Sequence, residues 1–162
     1  MPYNKTFRRL CVVASSAMDR SIRAHEAAEL IRAARNFHWV GLYDVTPTEI
    51  VAIAWTGANA PTFPRFPISQ GLNGAAVTSR QNVVVQDVTK DSRYLTTFGS
   101  TRAEAIFVIA SSINGRVVGT IDVESERTKA FTLDDETFLG RCAEVLKPLW
   151  LETKCLESVV KN

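Results

Sequence analysis

The stretch 103-AEAIFVIASSINGRVVGTIDVES-125 decides how this chain folds. It is two runs of apolar and β-branched residues separated by Asn114-Gly115, a strong signal for a hairpin closed by a type I′ turn. Strands are therefore expected over 103–112 and 116–125, paired antiparallel. Side chains alternate between the two faces of a strand. In the second strand Ile121 and Val123 share one face, while Thr120, Asp122 and Glu124 share the other. Glu104, on the first strand, can join the two acids.

Working outward, 37-FHWVGLYDV-45 and 50-IVAIAW-55 flank 46-TPTE-49 and form a second hairpin. On its first strand Trp39, Gly41 and Tyr43 share a face, so they can build an apolar wall beside the acids, with room left at Gly41. Helices are expected upstream over 5–18 and 21–35, where Ile22, Ala27, Leu30, Ile31 and Ala34 recur near helical spacing. Between the hairpins a long loop (56–69), stiffened by Pro61, Pro64 and Pro67, leads into a short helix within 71-GLNGAAVTSR-80. A strand over 82–88 and a polar loop over 89–102 follow. Loops this long inside a compact domain are usually functional.

The last element opens at Thr132, an expected N-cap, with Asp134, Asp135 and Glu136 on the positive end of the helix. Its pattern runs toward Val160 with an expected kink at Pro148. Leu139, Cys142, Leu146, Leu149, Thr153, Leu156 and Val160 form a seam that reads either as a face packed on the sheet or as a dimer contact. The expected fold class is α+β: a central, mainly antiparallel sheet with N- and C-terminal helices on one face and ligand loops on the other. One domain spans 1–162, with a core of about 20–147 and helical extensions over 1–19 and 148–162.

Bulk properties exclude several classes. The 162 residues are 46% hydrophobic and 22% charged, with a net charge of +2 and a pI of about 8.5. That balance argues against nucleic acid as a partner. The basic excess is local: seven Lys/Arg between Lys5 and Arg35 against Asp19, Glu26 and Glu29, read as a solvated face. No apolar run reaches membrane-spanning length, and the N-terminus lacks a secretory h-region, so the expected location is cytoplasmic. Cys11, Cys142 and Cys155 are odd in number and widely spaced, and read as small core residues rather than a disulfide framework or zinc site. His25 and His38 have no second ligand at metal spacing; no metal and no cofactor are expected.

Three acids converging in a semi-enclosed site repel one another unless a cation or ammonium group balances them. The alternative is a wet face, normal for an antiparallel sheet. Neither histidine stands in a motif with a Ser or Cys nucleophile. The Gly71-Leu72-Asn73-Gly74 turn lacks the Lys-Ser/Thr of a phosphate loop, although backbone amides at a helix start can take a small anion.

The element order, with "NFHWVGLYDV", "GRVVGTIDVES" and "FTLDDETF", resembles a GAF domain over about residues 20–147. Within that superfamily the chain is most similar to the free methionine-(R)-sulfoxide reductases, through Trp39 to Tyr43, Arg65, Pro67, Gly71 and Gly74, Arg102 and Glu104, then Asp122, Glu124 and Ser125. The resemblance implies that Glu104, Asp122 and Glu124 hold an amino group and that Trp39 encloses the apolar end of the ligand. The family's redox cysteines are missing: in this register Phe63, Asn73 and Thr97 stand where they belong. Sulfoxide reduction of this type needs an attacking thiolate and a resolving thiol. Cyclic-nucleotide-binding members suggest another ligand, and Phe131, Asp135 and Glu136 match the tail of their motif, but its Asn-Lys half is absent.

The resemblance and the residues together lead to a small-molecule-binding sensory or regulatory domain without catalysis. Its ligand would be amino-acid-like or ammonium-bearing, held by Trp39, Tyr43, Asn73, Glu104, Asp122 and Glu124. The alternatives are a divergent reductase-like enzyme and an interaction module with a vestigial pocket. Expected partners are the small molecule, a second copy through the terminal helices, and a downstream signalling protein; nucleic acid and membrane are not expected.

Overall fold

The structure is a computed structural model that describes residues 3–151. Two helices, α1 (Asn4–Ser15) and α2 (Arg20–Arg35), precede the hairpin β1 (Trp39–Val45) and β2 (Glu49–Thr56). A short strand β3 (Arg65–Pro67), helix α3 (Gly71–Ser79) and strand β4 (Val83–Val85) follow, then β5 (Ala103–Ala110), β6 (Val117–Ser125) and helix α4 (Leu133–Val145). The six strands form one sheet in the order β3-β2-β1-β6-β5-β4, and every neighbouring pair is antiparallel. This is the α+β layout expected from the sequence.

Strand alternation divides the molecule into two layers. Val40, Leu42, Ala105, Phe107, Ile121 and Val123 point to one face and pack with Phe7, Leu10, Ile31, Phe138 and Leu139 of the helices. The opposite face is covered by α3 and the long loops, through Trp39, Tyr43, Ile50 and Phe66 on one side and Leu72, Ala76, Val85 and Ile106 on the other. A residue's parity on β5 or β6 thus decides whether it meets the helices or the loops.

Several local expectations change. β3 lies inside the stretch expected to be all loop: Pro64 precedes a three-residue run that pairs with β2 (Ile50 with Phe66), and Pro67 is its last residue, on the sheet's edge. The β5–β6 connection is not a two-residue type I′ turn, because Gly115 (φ +69°) has positive φ and Asn114 does not. A Ser111 N–H to Arg116 carbonyl bond (2.8 Å) closes a wider turn instead, and Asn114 Oδ1 accepts from the Arg116 N–H (3.0 Å). Helix α4 begins as expected, with a complete capping box between Thr132 and Asp135, and Asp135 also pairs with Arg35 (2.6 Å). It ends at Val145, and Lys147–Leu149 form a 3-10 turn containing Pro148. Leu139, Cys142, Leu146 and Leu149 pack into the helix-side core, whereas Thr153, Leu156 and Val160 lie outside the described residues.

The basic N-terminal face is a set of struts as much as a solvated surface. Arg20 forks onto Asp44 and reaches the Leu149 carbonyl (2.6 Å), Arg23 bonds the Ala14 carbonyl (2.7 Å), and Arg32 pairs with Glu29 (3.0 Å). Cys142 is a buried core thiol as expected, but Cys11 is disulfide-bonded, which departs from its reading as a free core residue.

The end of the chain described here docks on the middle of the sheet. Trp150 donates its indole N–H to the Tyr43 carbonyl (3.1 Å), and its ring lies so close to Gly119 that a Cβ there would fall inside it. Gly119→Ala should therefore lower stability by about 1–3 kcal/mol in urea unfolding, the usual cost of overpacking. Gly140, mid-helix in α4 with nothing within 4 Å of an added Cβ, is the control: Gly140→Ala should raise stability by up to about 1 kcal/mol.

Candidate functional site

The acids meet where β5, β6 and β1 lie side by side. Glu104 sits directly across from Glu124, Asp122 across from Gly41 and Ile106, and Trp39 across from Glu124. Register alone therefore places two glutamates opposite one another, an unfavourable pair in an ordinary sheet. All three carboxylates are buried, at 3%, 2% and 0% exposure for Glu104, Asp122 and Glu124. They can each offer an oxygen within 4.8 Å of the others. The wet-face alternative is thereby removed: this face of β5 and β6 is enclosed.

Asn73 comes from the first turn of α3 and joins the cluster. Its Nδ2 donates to Asp122 Oδ2 (3.1 Å), and its Oδ1 accepts from the Thr120 hydroxyl (2.6 Å). The amide thus uses both ends, one neutralising part of the Asp122 charge and one tied to the floor of the sheet. The backbone must come close for this to happen. A Cβ at Gly74 would strike the Ile68 carbonyl oxygen and the Ser69 backbone, so the glycine after Asn73 lets α3 start against the preceding loop. Thr101 donates to Glu124 Oε2 (3.0 Å). Even so, Asp122 Oδ1 and Glu124 Oε1 are buried without a partner, and buried acceptors of that kind are rare in folded proteins.

Among the described residues no Lys or Arg pairs with these acids, and the protonation equilibria respond. Burial first, then the Asp122 and Glu124 charges, hold Glu104 well above the usual carboxylate range. Burial and Glu124 do the same to Asp122, against the hydrogen bonds from Glu104 and Asn73. Burial lifts Glu124 to about 7, with Thr101 and Thr97 pulling the other way. Tyr43 is likewise pushed up, by burial and then by the three acids.

Phe63, Phe66, Gly71, Leu72, Leu95 and Thr97 close the pocket together with Tyr43, Asn73, Glu104 and Asp122, leaving space for about one water. The two loops that form its roof are joined by the Thr62 hydroxyl bonded to the Thr97 carbonyl. Phe98 rests edge-on against Trp39 at 5.4 Å between ring centres.

Of the residues expected at the site, Tyr43, Asn73, Glu104 and Asp122 line the pocket, and Glu124 adjoins it through the acid cluster. Trp39 lies on the same face but behind the roof, buried and donating its indole N–H to the Asn59 carbonyl (3.0 Å). Gly41 leaves no room for a ligand; the Trp39 and Tyr43 rings fill the place a Cβ would take. Sequence reasoning missed Thr101 and Phe66, which sit in loop and short-strand contexts with no periodicity to read. His25 bonds the Trp55 carbonyl (3.0 Å) and His38 pairs with Glu126 (3.0 Å), both away from the acids.

The GAF domain family model matches residues 19–146. The chain belongs to the GAF domain family. It is 29% identical over 112 residues to GAF domain-containing protein A of Dictyostelium discoideum, covering 68% of each chain. Among solved structures, the free methionine-R-sulfoxide reductase of Neisseria meningitidis in complex with its substrate superposes with a TM-score of 0.80 at 26% identity, over 91% of this chain and 87% of that one. The type II free methionine-R-sulfoxide reductase of Thermoplasma acidophilum gives 0.75 at 26% identity, over 83% and 96%. This GAF chain therefore stands beside reductases in both sequence and fold.

Its acid cluster makes a stability prediction. A carboxyl whose pKa rises on folding favours the folded state when protonated, so its stabilising effect is full below the unfolded value and lost as pH climbs through the folded value. For Glu124 that window runs from the ordinary glutamate value of 4.5 to about 7. Thermal melts should fall as pH rises across it, and Glu124→Gln should flatten the decline by about 1–3 kcal/mol. A wild-type melting temperature that climbs over this range would show that the acids are already balanced.

Proposed function

We propose that this protein is a small-molecule-binding GAF domain that senses an ammonium-bearing ligand and does not catalyse a reaction. The observation that carries the reading is the composition of one pocket. Phe63, Asn73 and Thr97, the positions where the related reductases are expected to carry cysteines, all line the same cavity as Glu104 and Asp122. The pocket thus has a ring, an amide and a hydroxyl where sulfur chemistry needs thiols, yet it keeps the acids that would hold an amino group. Cys142 is buried among the helices on the far side of the sheet, where burial pushes its thiol up and away from reactivity.

An ammonium group suits this cluster. It donates three hydrogen bonds, carries the missing positive charge, and would satisfy the unpartnered oxygens of Asp122 and Glu124. The ligand's body would lie against Tyr43, Phe66, Leu72 and Leu95, and the roof loops would have to part to admit it, since the closed cavity holds about one water. Loop movement is the signal, passed to a second copy or a downstream protein through the terminal helices. On α1, Val12 is 70% exposed and forms an apolar patch with Val13 beside Arg8 and Arg9. Among the described residues no helix is long and apolar enough to cross a membrane.

Two measurements test this. Thermal shift with methionine, methionine-(R)-sulfoxide and simple alkylamines should show at least one ligand stabilising the wild type, by about 2.7 kcal/mol at a hundredfold excess over Kd. Asp122→Asn should lose that shift. Incubation with free methionine-(R)-sulfoxide and a thioredoxin system should give no turnover; sustained turnover would sink the non-catalytic reading.

A further inference from the structure

The acid pocket has charge on one side only. Of its polar lining residues Glu104 and Asp122 are acids, and the rest are Asn73, Thr97 and the Tyr43 phenol, with Phe63, Phe66, Leu72 and Leu95 apolar. No Lys, Arg or His lines it among the described residues. The three arginines nearest in sequence to its walls are directed elsewhere: Arg93 pairs with Asp91 (2.7 Å). Arg65 is 64% exposed at its side chain and pairs with Glu49 (3.6 Å), and Arg102 bonds the Gly99 and Thr101 carbonyls (3.0 Å each). The Asn73 amide is committed to Asp122 and Thr120, and the Thr101 hydroxyl to Glu124.

We infer that the preferred ligand is a net-cationic amine with an apolar body and no carboxylate, rather than a zwitterionic amino acid. This rests on the reading that the pocket takes an ammonium group, and narrows it. The second observation beside the acid cluster is its unfilled demand: Asp122 Oδ1 and Glu124 Oε1 are buried and unpartnered, which calls for donors and positive charge. An amine supplies both. An amino acid supplies the same donors, but its carboxylate comes in a few ångströms away, beside three acids in a low-dielectric enclosure. No side chain in the lining compensates it. The one feature favouring a carboxylate is the N-terminal turn of α3, where Gln70 makes no side-chain cap and first-turn N–H groups remain available. That partial helix charge has no Lys, Arg or His beside it in the lining to reinforce it, so we place the amine ahead of the amino acid.

Matched pairs measure that balance on the wild-type chain. Isothermal titration at pH 8 would compare 3-(methylthio)propylamine with methionine, isoamylamine with leucine, and phenethylamine with phenylalanine, each pair differing only by the carboxylate. At least one amine should bind tenfold or more tighter than its parent amino acid, and tighter than the alcohol of the same body. Glu104→Gln and Asp122→Asn should each weaken amine binding tenfold or more; using both guards against one variant failing to fold. An amino acid that binds as tightly as its amine, or tighter, overturns the inference while leaving the ammonium reading intact. Binding of the alcohol as tight as the amine, or no binding by any member of the three pairs, overturns both.

Discussion

The rest of the structure depends on three carboxylates being held together on adjacent strands without a counter-charge. Antiparallel register puts Glu104 opposite Glu124, and strand alternation puts Asp122 on the same face. A sheet left open on that side would let water screen them. Here α3 and the two loops shut water out, so the cluster's energy is carried by shared protons, the Asn73 and Thr101 hydrogen bonds, and packing elsewhere.

The helix-side layer supplies the compensation. Its core is apolar and continuous from Phe7 and Leu10 through Ile31 to Phe138 and Leu139, and each fully buried side chain of this kind contributes roughly 1.5–3 kcal/mol relative to exposure. The polar cost and the apolar gain fall on opposite faces of the same strands. β6 shows this most clearly: Ile121 and Val123 anchor it to the helices while Asp122 and Glu124 face the pocket. The division lets the loop face change its chemistry without touching what keeps the domain folded.

Much of this was legible because period-2 alternation is strict. Reading 103–125 as two strands placed the acids, and Tyr43 fell beside them from parity alone. The GAF resemblance and the element order agreed with the observed sheet. What the sequence hid were effects set by neighbours distant along the chain. Whether the acid face was wet or closed depended on how the 56–69 and 89–102 loops return across the sheet, which no local pattern records. Gly41 looked like space for a ligand, but Trp39 and Tyr43 fold into it. Asn114-Gly115 looked like a two-residue turn, yet the strands stop at Ala110 and Val117 and the connection widens. Arg20 and Arg35 of α2 looked solvated because their partners, Asp44, Asp135 and the Leu149 carbonyl, come from other elements.

Asn73 holds Asp122 with an amide, and an amide neither ionises in the physiological range nor reacts with peroxide. A thiol in its place would tie occupancy of the pocket to the oxidation state of its surroundings. With Asn73 there, the charge pattern of the pocket is the same under reducing and oxidising conditions. The pocket wall is in this respect redox-blind: the Asn73 contact to Asp122 does not depend on oxidation state.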